Sequence, residues 1–440
     1  MGFFGRKRAP SVPHPRKEPR FDGPLTLKRL EQIFQDCVDF TKRPVSLGEG
    51  GACTLTLCYL SGMVKMERVS DYVLRPLAQD EALARCGTPR QAMEEMMGGA
   101  LYNLSAAERT TLDEAAFDLV AGWCLLFFPG ESAVLSLFVG TEEKRSISSP
   151  SNETVLKGSR DAFVESLRTN TSIVRRHLKA PELRIREQVV GRQSVTSVDI
   201  LYIEGLTNPH LVEQVAAQLA DIDIDAVLAT GNIEEYIVPA ARTAFPLVQY
   251  TERSDRFCAG LAEGRVGILI DGLPLGYLAP GVLGDFLQAP QDKSESWLLA
   301  SALTLLRYLC MLGTLLLPAL YVAMVTFHQE MIPTRLALSI IAAKQDVPFR
   351  SVFEVIVLLL AFEILQEAGL RLPQSIGQTV SIIGGLVVGS AAVEAKIISP
   401  AVLIVVAIAG IAGYTMPSQE VAGALRIWRF LLALLASAAG

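Results

Sequence analysis

Residues 297–327 form a 31-residue run with one charged side chain, Arg307. Nothing else in the 440-residue chain limits its fold as strongly. About 20 apolar residues carry a helix across a bilayer, so the run suffices for a tilted span, kinked at Pro318. The charge balance changes at the same place. Residues 1–296 hold 71 charged side chains and residues 297–440 hold 15, a fall in density from about 24% to about 10%. That profile excludes a uniformly soluble enzyme and a disordered chain.

Further apolar segments follow at 351–366, 376–393, 400–416 and 421–439. The uncharged part of the last, residues 430–440, is too short to cross alone. Residues 297–440 are therefore expected to be an all-α multi-pass membrane domain of four spans plus a truncated fifth. Ionisable groups within membrane helices are costly and are functional candidates by default. Glu354 and Glu363 are nine residues apart, which sets them on opposite faces of one helix. Arg350 stands one turn before Glu354 and is its expected partner, leaving Glu363 as the most deeply placed acid. Gly385 and Gly389 form a G-x-x-x-G spacing that lets helices approach closely, within one subunit or between subunits.

Upstream, the first 29 residues contain eight Lys or Arg, two acids, and Pro10, Pro13, Pro15 and Pro19. Such a segment reads as a disordered basic tail without the apolar core of a signal peptide. It suits an anionic membrane surface or a solubilising role equally. Residues 30–296 carry 24 basic and 37 acidic side chains, which argues against a nucleic-acid-binding face. Their patterns alternate between strand and helix. Residues 54–59 alternate as a half-buried strand, residues 69–77 read as a helix met by Pro76, and 89–119 look largely helical. Residues 121–128 and 133–139 read as a hairpin across Pro129-Gly130. A Ser-rich linker spans 141–160. Beyond it a helix is expected over 161–179 and strands over 183–190, 195–203 and 266–270. Asn208-Pro209 is a strong helix start. The economical reading is an α/β soluble N-terminal region of two subdomains, 30–140 and 161–296.

The seven cysteines are odd in number and lack C-x-x-C spacing, so they read as reduced core residues facing a cytosol. The four histidines have no metal-ligand spacing. Gly48-Glu49-Gly50-Gly51 lacks the Lys-Ser/Thr of a phosphate loop, and no nucleophile elbow occurs. The residues argue for no enzyme and no cofactor.

Several blocks resemble the A-subunit family of GerA-type spore germinant receptors. They are Val325-Thr-Phe-His-Gln-Glu-Met-Ile-Pro-Thr334, Phe362-Glu-Ile-Leu-Gln-Glu-Ala-Gly-Leu-Arg-Leu-Pro373 and Ile376-Gly-Gln-Thr-Val-Ser-Ile-Ile-Gly-Gly385. In the soluble part, Glu165-Ser-Leu-Arg-Thr-Asn170, Tyr202-Ile-Glu-Gly-Leu-Thr-Asn-Pro209, Phe245-Pro-Leu-Val-Gln-Tyr-Thr-Glu-Arg253 and Glu263-Gly-Arg-Val-Gly-Ile-Leu-Ile-Asp-Gly272 do so as well. The blocks occur in family order over about residues 30–430.

The resemblance implies a multi-pass protein of the spore inner membrane with its N-terminal domain cytoplasmic. It implies a transporter-like B subunit and a lipoprotein C subunit as partners, contact with membrane lipids, and homo-oligomerisation into a ring, proposed to be a pentameric nutrient-gated cation channel. On that reading Glu363 and Glu354 are ion-path or gating charges, with His328, Gln329 and Glu330 at a helix end. The alternative is a non-conducting scaffold, and a carrier is weaker because no inverted repeat is visible. The sequence departs from the family in two ways. An acid often found near Leu359 is absent, and the chain ends within its last span, as a short paralogue or an incomplete frame would.

Overall fold

The computed structural model describes residues 20–47, 54–86, 88–101, 105–140, 153, 158–227, 235–237, 243–371 and 389–439. The chain forms two compact units. The first holds both sheets; the second holds the chain from Gly281 on, with a short segment ending at Gln249. The expected linker 141–160 lies largely outside the described residues. The expected basic tail ends sooner than residue 29. The Arg20 backbone N–H donates to Asp113 at 3.1 Å, Leu25 is buried, and the Thr26 side chain caps helix α1, Leu27–Ile33.

The first sheet contains β1 (Phe40–Ser46), β2 (Thr54–Leu60), β3 (Ala106–Arg109), β4 (Trp123–Phe127) and β5 (Val134–Phe138), in the order β1-β2-β4-β5-β3. Its recorded pairings are all antiparallel, and β4 and β5 form the expected hairpin. Along β2 successive residues enter different cores. Leu55, Leu57 and Tyr59 pack with Val69, Val73 and Met93, whereas Cys58 and Leu60 pack with Leu30, Leu112 and Leu119. Helical turns between Met66 and Ala100 thus cover one face, and α1 with α2 (Leu112–Val120) covers the other. Burial on both faces explains why β4 and β5 read as continuous apolar runs. Pro44 is tolerated because β1 is an edge strand. The largely helical reading of 89–119 misses β3. That strand is short and also lies at an edge, where Glu108 and Arg109 keep partial exposure.

The second sheet contains β6 (Leu183–Val190), β7 (Thr196–Ile203), β8 (Gln249–Thr251), β9 (Val266–Ile270) and β10 (Gly276–Ala279), in the order β6-β7-β9-β10-β8. The pairs β6–β7, β7–β9 and β9–β10 are antiparallel. Helices α3 (Leu167–His177) and α5 (Ser254–Ala262) cover one face through Val174, Phe257 and Leu261. On the other, α4 (Pro209–Ala220) is met by Gln188, whose Nε2 donates to the Ala216 carbonyl. Asn208 caps α4 as its sequence requires, accepting the His210 N–H at 3.0 Å. Gly267 and Gly276 let the Phe257 ring lie on the sheet: a Cβ would meet that ring at 2.4 Å and 2.6 Å respectively. The helix expected over 161–179 is shorter, because residues before Leu167 form an irregular approach held by Asn170.

The two sheets meet within the first unit. The Val38 N–H donates to Ile185 O at 3.0 Å, and Arg175 on α3 donates to both oxygens of Asp39 at 2.7 and 2.9 Å. Both charged residues are buried.

The second unit is helical: α6 (Trp297–Thr326), α7 (Thr334–Lys344), α8 (Ser351–Arg371), α9 (Pro400–Gly413) and α10 (Gln419–Ala439). Its core gathers Tyr321, Val322, Val355, Leu359, Val402 and Val406. Large apolar side chains also face outward, among them Leu305, Leu309, Ile404, Ile411 and Leu434. Among the described residues two helices, α6 and α10, are long and apolar enough to cross a membrane, and α9 is shorter. Four spans plus a remnant therefore overstate what the described helices supply, and most of the expected span 376–393 lies outside them. The last segment, expected to be too short to cross alone, is a 21-residue helix of membrane length that starts at Gln419 and turns Arg426 and Arg429 toward Glu363.

Candidate functional site

Glu354 and Glu363 occupy opposite faces of α8, as their spacing requires, and meet different elements. Glu354 Oε2 accepts the Ser399 N–H at 2.7 Å, and its Oε1 lies 3.6 Å from Lys344 Nζ. Ser399 is the residue just before α9. The carboxylate therefore satisfies an orphan donor at the positive end of that helix's dipole. Its cationic partner is Lys344 and not Arg350. Arg350 immediately precedes α8 and opens its first turn, its carbonyl accepting the Glu354 N–H at 3.1 Å.

Glu363 faces α10. Its Oε1 is 2.9 Å from Arg426, and its Oε2 is 3.8 Å from Arg429. Glu354, with its side chain fully covered, is the deeper acid; the Glu363 side chain keeps 28% of its exposure. Arg426 and Arg429 escaped sequence reasoning, which took them as the charged edge of a short segment. Their i, i+3 spacing places both on one helix face, a usable signal once an acceptor is known. Arg307 is likewise compensated, donating to both oxygens of Asp292 and to Leu287 O.

His328, Gln329 and Glu330 lie where α6 ends and a short 3₁₀ turn, Gln329–Met331, begins. All three are exposed, and Gln329 Nε2 donates to Val325 O at 3.0 Å. The structure does not bring them to Glu354 or Glu363 through any recorded bond. Gly389 packs tightly, since a Cβ there would stand 3.1 Å from Leu403 Cδ1; Gly385 lies outside the described residues. Among the described residues no three His, Cys, Asp or Glu gather as metal ligands.

The sheet-bearing unit uses its charged motif residues internally. Asn170 closes the irregular segment before α3 by accepting the Val164 N–H and donating to its carbonyl, at 2.8 and 2.6 Å. Arg168 bridges Glu187 at 2.7 Å and Asp199 at 3.2 Å. Burial holds the Asp199 carboxyl up at about 7, with the Arg168 charge pulling the other way. Arg253, buried, donates to Glu153 O, Ser159 O and Asp255. Burial raises the thiols of Cys58, Cys124 and Cys258 to about 12, so they are inert core residues.

One grouping suggests a catalytic relay and is not one. Ser254 Oγ lies 3.2 Å from His177 Nε2, and Asp161 Oδ2 lies 3.5 Å from the same nitrogen. A relay needs the carboxylate on the other ring nitrogen. Ser254 is moreover fully buried and donates to the Asp161 carbonyl.

Two antiparallel sheets with helices on both faces, preceding long apolar helices that carry paired charges, define a protein with a folded head and helices of membrane length. The chain matches the family described as Bacillus/Clostridium GerA spore germination protein over residues 28–440, and it belongs to that family. It is 38% identical over 414 residues to the Uncharacterized membrane protein YfkQ of Bacillus subtilis (strain 168), covering 94% of this chain and 79% of that protein. It is 37% identical over 404 residues to Spore germination protein KA of the same organism, covering 91% and 73%. Spore germination protein GerLA of Bacillus cereus is 34% identical over 414 residues, covering 94% and 83%. Among solved structures, the N-terminal domain of the A subunit of the Bacillus megaterium spore germinant receptor GerK3 aligns at 27% identity and a TM-score of 0.46. That alignment covers 58% of this chain and 94% of that one.

Proposed function

We propose that this chain is the membrane-embedded A subunit of a germinant receptor, and that copies of it form a ring around a cation path opened by nutrient. The carrying observation is that the family match runs through both units, residues 28–440. Relatives named spore germination proteins support the role. The membrane placement is supported by α6 and α10, and by the outward Leu and Ile side chains of the second unit. Beyond Arg307, the uncharged part of α6 from Tyr308 to Thr326 spans about 28 Å at 1.5 Å per residue, close to a hydrocarbon core. The multi-pass arrangement, the spore inner membrane and the cytoplasmic side for the sheets belong to this proposal. So do the transporter-like B subunit and lipoprotein C subunit as partners.

Glu363 acts in this reading as a gating charge. Its pairs with Arg426 and Arg429 tie α8 to α10, and opening would have to exchange them. Glu354 holds the start of α9. Glu330, exposed at the end of α6 and repeated around a ring, supplies carboxylates that concentrate cations at a pore mouth. One observation favours the second reading, a non-conducting scaffold: two guanidinium groups outnumber the Glu363 carboxylate, and their excess charge repels cations.

Single-channel recording of the purified protein in a planar bilayer, alone and with B and C subunits, tests the proposal. Discrete cation-selective steps, altered by Glu363→Gln, are expected. Silence in both preparations with intact oligomers present would establish the scaffold.

A further inference from the structure

A cavity of about 500 Å³ lies within the second unit, lined from α6, α8, α9 and α10 and by Gly389 and Ser390. That volume is in the range of small-molecule sites. Its walls are mainly apolar, with Leu359, Phe362, Leu403 and Val406 among them, and its charged lining residues are Arg426 and Arg429. Small residues on α9 open the space. A Cβ added at Gly410, which lines the cavity, would meet no atom within 4 Å.

Among the described residues the charge in this cavity does not balance. Arg426 and Arg429 share the single carboxylate of Glu363, at 2.9 and 3.8 Å. Arg429 is only 5% exposed. Among the described residues its Nε is buried with no hydrogen-bond partner, and so is Glu363 Oε2. An unmade bond on a buried donor costs free energy, and more so for a charged group. An excess positive charge in an apolar surround adds to that cost. An oxyanion placed against Arg429 would supply both the missing acceptor and the missing negative charge. The apolar walls then require that the rest of the ligand be hydrocarbon.

We infer that the cavity among α6, α8, α9 and α10 binds an amphiphile with one oxyanion head, held by Arg429 and Arg426, and an apolar body seated against Leu359, Phe362 and Val406. The head is a carboxylate or phosphodiester; its source is a free long-chain acid or an anionic membrane lipid. The inference concerns a ligand site and does not depend on whether the chain conducts ions. Zwitterionic lipids are disfavoured, because a second, cationic head group would meet two guanidinium groups.

Native mass spectrometry of the full chain in non-ionic detergent tests this, with dodecanoate, phosphatidylglycerol and phosphatidylcholine as probes. A saturable one-to-one adduct with at least one anionic probe is expected, at a concentration at least tenfold below that needed for phosphatidylcholine. Adducts with dodecanoate alone identify a free acid as the source, and adducts with phosphatidylglycerol a lipid. Arg429→Gln should weaken the anionic adduct at least tenfold. Gly410→Leu fills the cavity without altering any charge and should do the same, which keeps the test decisive if Arg429→Gln does not fold. Equal retention of anionic and zwitterionic probes would overturn the inference. So would an anionic adduct undiminished by Gly410→Leu.

Discussion

Replacing Arg175 with Met should open the junction between the two sheets. The side chain is 1% exposed and donates to both oxygens of Asp39, itself 4% exposed, and to Leu183 O at 3.1 Å. Met roughly keeps the volume but leaves Asp39 as a buried charge with its guanidinium removed. Breaking such a pair costs about 3–5 kcal/mol, a factor of roughly one hundred to a few thousand in the opening equilibrium. Cys37 reports on that opening. It is 8% exposed, bridges to Ile185, and its Sγ donates to Leu183 O. Burial pushes its thiol above the usual range, with the Arg175 charge opposing, so labelling requires the junction to open. Peptide-resolved alkylation of the full chain in detergent gives the rate at Cys37 separately from the other cysteines. When closing outpaces labelling, the rate follows the opening equilibrium. Arg175→Met should raise it at least a hundredfold, and the double variant Asp39→Asn with Arg175→Met should recover much of the loss. A rise under threefold in a folded protein would refute the view that this pair holds the sheets together.

Asp199→Asn tests the buried carboxyl. Because its folded value near 7 lies above the ordinary one near 4, the folded state binds the extra proton between these limits. Stability should therefore be greatest below about pH 4, fall as pH rises to about 7, and then level off. The variant should lose that slope and gain at most about 4 kcal/mol at pH 8, less what the Arg168 contact supplies. Melting temperatures measured across pH 4–8 check it, and a slope that survives would refute it. Glu354→Ala should cost about 2–4 kcal/mol, since it strips the start of α9 of its acceptor and Lys344 of its counter-charge. Glu354→Gln keeps an acceptor oxygen and should cost about 1 kcal/mol. Thermal unfolding in detergent separates the two, and equal melting temperatures would refute the capping role.

Features set by neighbours along the chain were legible in the sequence. The bounds of β6 and β9, the Asn208 cap of α4, the hairpin of β4 and β5, and the long helix from Trp297 all follow from local period, capping chemistry or apolar length. Short or interrupted strands were not legible. In β1, Lys42, Arg43 and Pro44 interrupt any alternation, and β3, β8 and β10 are three or four residues long, too short for a period to register. Their pairing energy comes from strands distant in sequence. Nor could the sequence choose antiparallel sheets, because alternating helices and strands are compatible with either sense. The site shows the same divide. Spacing alone put Glu354 and Glu363 on opposite faces of α8. Only the tertiary structure decided that one caps α9 and the other meets Arg426, 63 residues away. A charge in an apolar surround must find a partner, but which partner depends on which helices pack together. That is settled by the whole set of side-chain shapes in the core, which no local pattern encodes.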